Sequence, residues 1–184
     1  MKQPTDGTDE LIDGLRARSR SAYAEALRRY GGFVSSIAGM MVRDRRDAEE
    51  VVQDTFVGAF RDIGAYNGAE ASFATWLGRI AWHRSVDMLR RRRIPVGELS
   101  DEAAAIADDG PDEELGTDID ELREALALLA PAERTLLTLV YFDDLPLARV
   151  AYIMQSNPSA LSARLYRLRN KLARIINERK KRHT

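Results

Sequence analysis

Apolar positions recur along most of this chain at helical spacing, and no stretch sustains the alternation of a strand. Leu11, Ile12 and Leu15 open the first pattern, and Ala22, Tyr23, Ala26, Leu27 and Tyr30 continue it. Gly31-Gly32 is expected to break that helix, with Val34, Ile37, Ala38 and Met41 resuming it. A third helix is predicted over about 45–63, with Val51, Val52, Phe56, Val57, Phe60 and Ile63 inward. Tyr66 to Glu70 reads as a turn. A helix then runs from about 71 to 92, with Phe73, Trp76, Leu77 and Ile80 on one face at i, i+3, i+4, i+7.

Pro95, Gly97, Gly110, Pro111 and Gly116 punctuate the next stretch, so 94–118 reads as a linker with one short helix near Asp101–Ala107. Helices resume at about 119–130, 132–141 and 146–154, and a last one starts at Pro158 and runs to about Lys180. The expected fold is all-α. Two small helical domains, 1–93 and 119–184, are joined by the flexible linker 94–118.

Charge changes this picture more than composition does. The formal net charge of −1 hides segregated blocks. Residues 1–93 carry 16 basic and 13 acidic side chains, 94–122 carry 11 acidic and no Lys or Arg, and 164–184 carry nine basic and one acidic. The linker would repel phosphate, whereas the C-terminal helix would attract it. The chain has no cysteine, which excludes a disulfide framework or thiolate metal site and fits a reducing cytosol. The start MKQPTDGTDE lacks the apolar core of a signal peptide, and no apolar run approaches the ~18 residues of a membrane span.

Three constellations carry candidate chemistry. The first is LPLARVAYIMQSNPSALSARLYRLRNKL (145–172), laid out as a helix-turn-helix with the short polar turn Gln155-Ser156-Asn157. Asn157 suits the N-cap and Pro158 the first helical position. Leu161, Leu165, Leu168 and Leu172 form its inward stripe, while Arg164, Arg167, Lys171 and Arg174 form a basic one. Ser159, Ser162, Ala163 and Tyr166 lie outward near the helix start, where such helices reach base edges. A basic stripe alone is as often a solvated face. The turn, the cap and the charge bias together favour DNA.

The second is DAEEVVQDTF (47–56), whose Asp47, Glu50 and Asp54 share a helix face beside Gln53. With no histidine in the segment, a protein-docking face is the stronger reading than a metal or catalytic site. The third is FATWLGRIAWHRSVDMLRRRR (73–93), aromatic at its start and cationic at its end. Aromatic stacking on unpaired bases and cations on phosphate are what holding melted DNA requires. Phe73, Trp76 and Ile80 lie on the apolar stripe and are expected in the core. Trp82, His83, Arg79, Arg84, Arg90, Arg91, Arg92 and Arg93 fall off it and are the contact candidates. His83 and Asp87 form an i, i+4 pair that an ordinary hydrogen bond explains; neither a metal nor a cofactor is implied.

These motifs, in this order and at these distances, resemble the extracytoplasmic-function sigma factors, the small two-domain members of the bacterial sigma-70 family. The resemblance covers about 9–93 and 119–176. It implies a promoter-specificity subunit of bacterial RNA polymerase without enzymatic activity of its own. It implies that the 47–56 helix docks on the β′ clamp helices, with Asp47, Glu50, Gln53, Asp54 and Phe56 as candidates. The loop with Asn67, Gly68 and Ser72, and the helix after it, would open and hold the −10 element. Residues 119–184 would bind the −35 element and the β flap, with Ser159, Ser162, Ala163, Arg164, Tyr166, Arg167 and Lys171 at the DNA. The acidic linker would thread polymerase channels, and an anti-sigma factor would hold the protein inactive in the cytoplasm or at the inner membrane. His83 stands where the family usually has Asn, and Gln155 where it often has a turn glycine. Ala148 and Arg149 replace two frequent acids, and Ser162 a frequent Lys or Arg. An autonomous helix-turn-helix regulator would explain 145–184 but leave 47–93 without a role. A helical metal-dependent hydrolase would need converging ligands that the sequence scarcely offers.

Overall fold

The computed structural model describes residues 7–97 and 119–183. Among them there are α-helices, a 3-10 turn and a π-helical turn, and no strand. The chain divides into two compact units, the first made of Met1–Val96 with Tyr152–Gln155 and the second of Gly97–Ala151 with Ser156–Thr184. The short helix expected at Asp101–Ala107 lies outside the described residues.

In the first unit α1 spans Thr8–Arg16, α2 Arg20–Met41, α3 Arg45–Arg61 and α4 Phe73–Arg91, with a 3-10 turn at Ile63–Ala65. Helices α2, α3 and α4 pack on one another in all three pairings, and α1 lies against α2. The starts of α3 and α4 have local causes. The Asp44 carboxylate caps α3 by accepting from the N–H groups of Arg46 and Asp47, at 2.9 and 3.1 Å. Ser72 caps α4, its hydroxyl accepting from the Thr75 N–H at 3.3 Å. Caps of this kind contribute ~1 kcal/mol each.

The Gly31-Gly32 break does not occur, and α2 runs through both glycines. Two interior glycines cost about 1 kcal/mol each relative to alanine. Val34, Ile37 and Met41 are buried on the same helix, and full burial of such side chains returns ~1.5–3 kcal/mol apiece. Tertiary packing therefore outweighs the local penalty. The break falls earlier, at Arg18, whose φ of 57° is left-handed. There the Ser19 N–H closes onto the Gly14 carbonyl at 2.9 Å. A Cβ on Gly14 would sit 2.8 Å from that of Ala22, so the missing side chain is what lets α1 fold back on α2.

In the second unit α5 spans Ile119–Ala127, α6 Pro131–Leu137, α7 Leu147–Met154 and α8 Pro158–His183. Both α5 and α6 pack on α8, whose inward stripe Leu161, Leu165, Leu168 and Leu172 is buried as expected and continues to Ile176. The predicted helix 132–141 ends differently. After Leu137 it widens into a π-helical turn, Thr138–Phe142, closed by the Asp143 N–H on the Thr138 carbonyl at 3.0 Å. Tyr141 and Phe142 are left outside, 55% and 68% exposed.

Candidate nucleic-acid interface

Helix α3 is covered on two sides, by α2 and by α4, so its inward arc is wide. Phe56 lies in that arc at 3% exposure, as its inward periodicity predicts and against its place among the docking candidates, and packs near Phe60, with ring centroids 5.7 Å apart. Asp47, also expected there, is buried as well. The outward stripe is Glu50, Gln53 and Val57, with Glu49 beside it and Asp54 half-buried at its edge. Val57 was expected inward but is 65% exposed. Its position, i+4 from Gln53 and i+7 from Glu50, is the signal that places it on this stripe.

Helix α4 shows the larger correction. Trp82, expected at the DNA, is 3% exposed and belongs to the core. Trp76 and Ile80, expected in the core, are only half-buried. The buried arc is centred on Leu77, Gly78, Ala81 and Ser85, with Phe73 and Leu89 at its ends. Small residues mark where neighbouring helices approach closest, and a pattern weighted by large apolar side chains misses them. Trp76 stacks against Phe73 at 5.7 Å and meets Tyr66 at 5.4 Å.

The opposite side of α4 carries His83, Asp87 and Arg90, all exposed and spaced i, i+4, i+7. Partial desolvation first, and the charge of Arg79 second, push the His83 imidazole below its ordinary 6.5. That shift favours the neutral ring, which both donates and accepts hydrogen bonds. The terminal arginines do not act alike. Arg92 reaches back to α3 and binds Asp47 with two hydrogen bonds, 2.9 and 2.6 Å. Arg91 lies 3.3 Å from Glu50. Arg90 and Arg93 are exposed and carry no ion pair among the described residues. Arg84 is half-buried over Gly58, where a Cβ would stand 3.2 Å from its guanidinium.

The loop before α4 is ordered by its own side chains. The Asn67 amide oxygen accepts from the Ala69 N–H at 3.1 Å, its NH2 donates to Glu70 at 3.1 Å, and the Tyr66 hydroxyl donates to the Ala71 carbonyl at 3.2 Å. Asn67, Gly68 and Ser72 remain exposed at the rim.

On α8 the Asn157 carboxamide caps the helix, accepting from the Ala160 N–H at 2.7 Å. Ser159, Ser162 and Arg167 are exposed, and Ala163, Arg164 and Tyr166 half-buried, which leaves one accessible face along the first turns. Lys171 does not join it, because its ammonium is held by Glu133 of α6. Sequence reasoning also missed the exposed pair Tyr141 and Phe142. The adjoining Asp143-Asp144, at a residue with φ of 49°, was the available sign of a turn.

Comparison with known proteins places this geometry. Residues 26–94 match the family model of sigma-70 region 2, and 119–172 that of sigma-70 region 4. The chain is 27% identical over 184 residues to the ECF RNA polymerase sigma-E factor of Haemophilus influenzae, across 92% of this chain and 95% of that one. Its fold resembles CnrH in complex with the cytosolic domain of CnrY, with TM-score 0.67 and 19% identity over 94% of this chain and 99% of that one. It also resembles RpoE of Bartonella quintana in complex with the anti-sigma factor NepR, with TM-score 0.63 and 17% identity over 84% and 96%. The chain belongs to the sigma-70 family. Within it, the protein is an extracytoplasmic-function sigma factor, a sigma subunit for transcription initiation. No helix among the described residues is long and apolar enough to cross a membrane.

Proposed function

We propose that residues 1–93 dock on the β′ clamp helices of RNA polymerase core and open the −10 element, and that 119–184 bind the −35 element and the β flap. The linker 94–118 would join the two across polymerase. The observation that carries this is the division of the first unit into two faces. Glu50, Gln53, Asp54 and Val57 offer an acidic stripe with one apolar residue, suited to a protein. The rim of Asn67, Gly68 and Ser72, with His83, Arg90 and Arg93, offers polar and cationic groups, suited to a melted strand. In the second unit Ser159, Ser162, Ala163, Arg164, Tyr166 and Arg167 form the face for a major groove.

The protein works in the cytoplasm on this reading and performs no catalysis of its own. The complex of RpoE with the anti-sigma factor NepR supports an anti-sigma factor as the partner that covers its docking faces. Asp54→Arg tests the assignment. Retention of core polymerase in a pull-down should be lost while the thermal melt is kept, and unchanged retention would misplace the docking stripe. Tight, sequence-specific operator binding by the chain without core would instead favour an autonomous regulator.

A further inference from the structure

The Arg90–Arg93 run looks like four equivalent phosphate contacts, but the structure separates its members. Helices α3 and α4 run antiparallel, so the start of one lies beside the end of the other. Arg92 is the C-cap residue of α4, and Arg93 after it turns left-handed with φ of 56°. That reversal leaves Arg93 in solvent while the Arg92 fork closes on Asp47 through both nitrogens, at 2.9 and 2.6 Å. Asp47 is the more constrained partner. Its side chain is 9% exposed, and its backbone N–H is tied to the capping Asp44 at 3.1 Å. A buried carboxylate needs a cation or donors, and bidentate guanidinium is the geometry that supplies both. Glu50 and Arg91 form a second, looser rung at 3.3 Å, and Arg84 crosses Gly58 further along the same seam.

We propose that Asp47 and Arg92 are positioning residues, a latch that locks the docking helix to the end of the DNA-facing helix. This rests on the function proposed above. Polymerase holds the outward side of α3, and the strand meets the outward side of α4. The offset between the two is what the enzyme and its promoter must agree on. The latch sits at the C-terminal end of α4. Of the four arginines, Arg90 and Arg93 are the ones that meet phosphate.

Two readouts on the full chain reconstituted with core polymerase test this. The first is affinity for a mixed-sequence single-stranded oligonucleotide across 50 to 200 mM NaCl. Arg90→Ala and Arg93→Ala should each take about 0.7 off the salt slope, and Arg92→Ala should leave it unchanged. The second is the opening rate on a promoter mapped from the transcripts the chain itself directs. Arg92→Ala and Asp47→Asn should each slow opening by about tenfold with core affinity kept, as a small misplacement would. The double variant should be no slower than either single one, because both remove the same link. Arg92→Lys, which keeps the charge and one bond, should recover part of the rate. A reduced salt slope for Arg92→Ala, or additive losses in the double variant, would overturn the latch. Should Arg92→Ala fail to fold, Arg92→Gln takes its place in both readouts. If the unaltered chain neither retains core nor opens DNA, it is the underlying function that fails and not the latch alone.

Discussion

The ammonium of Lys171 donates to both carboxylate oxygens of Glu133, at 3.0 and 2.8 Å, and so ties α8 to the first turn of α6. Glu133 also accepts from the Ala130 N–H at 2.9 Å, so one carboxylate caps α6 and anchors α8 together. A lysine on a basic stripe is thereby removed from the face proposed for DNA. Lys171→Met should lower stability by about 1 kcal/mol, as for a partly exposed pair, and leave the salt slope of duplex binding alone. Arg167→Ala should do the reverse, keeping the melt and reducing the slope by ~0.9. Equal slopes for the two variants would show that Lys171 meets phosphate after all.

Gln155 carries the turn of the helix-turn-helix in a left-handed conformation, φ 53°. The Ser156 N–H closes onto the Ala151 carbonyl at 3.0 Å, the bond of a helix end that favours glycine. Gln155→Gly should therefore stabilise the fold, by about 1 kcal/mol once the left-handed penalty is relieved. Thermal melting is the check. A lower midpoint would mean that the glutamine side chain contributes more than its backbone costs.

The two tryptophans of α4 should respond oppositely to what the apolar stripe suggests. Trp82→Ala empties a core site and should cost ~3–5 kcal/mol in a urea titration. Trp76→Ala, at a half-exposed site with Tyr66 and Phe73 as ring neighbours, should cost less than half of that. Comparable losses would show the buried arc of α4 to be drawn in the wrong place.

His83 gives the pH prediction. Its native pKa lies below 6.5, from desolvation first and Arg79 second. Between that value and 6.5 the folded protein binds fewer protons at this site than the unfolded chain. Its contribution to stability is thus complete above 6.5 and is lost as pH falls through the native pKa. In a His183→Asn background, an NMR titration of the remaining imidazole should show a midpoint under 6.5, moving upward in Arg79→Ala. A midpoint at or above 6.5 would contradict the geometry around the ring.

The inward leucines of α8, the Asn157 cap and the helical class were all legible, because each depends on neighbours within a few residues. The misread positions share one cause. Val57, Trp76, Ile80 and Trp82 sit on helices packed on two sides, where a rotation of one residue decides burial. Gly31-Gly32 failed as a breaker for a related reason, since the cost was local and the compensation came from other helices.

The sequence by itself determined that the chain is helical, that it has an acidic helix, an aromatic and cationic helix and a helix-turn-helix in that order, and which family it resembles. Periodicity, caps and charge blocks are short-range properties and can be read in one dimension. Only the tertiary structure decided which cations face outward. Arg92 finds Asp47 across 45 positions and Lys171 finds Glu133 across 38. A charge is spent or left free by whatever the fold sets beside it, and no spacing along the chain encodes that.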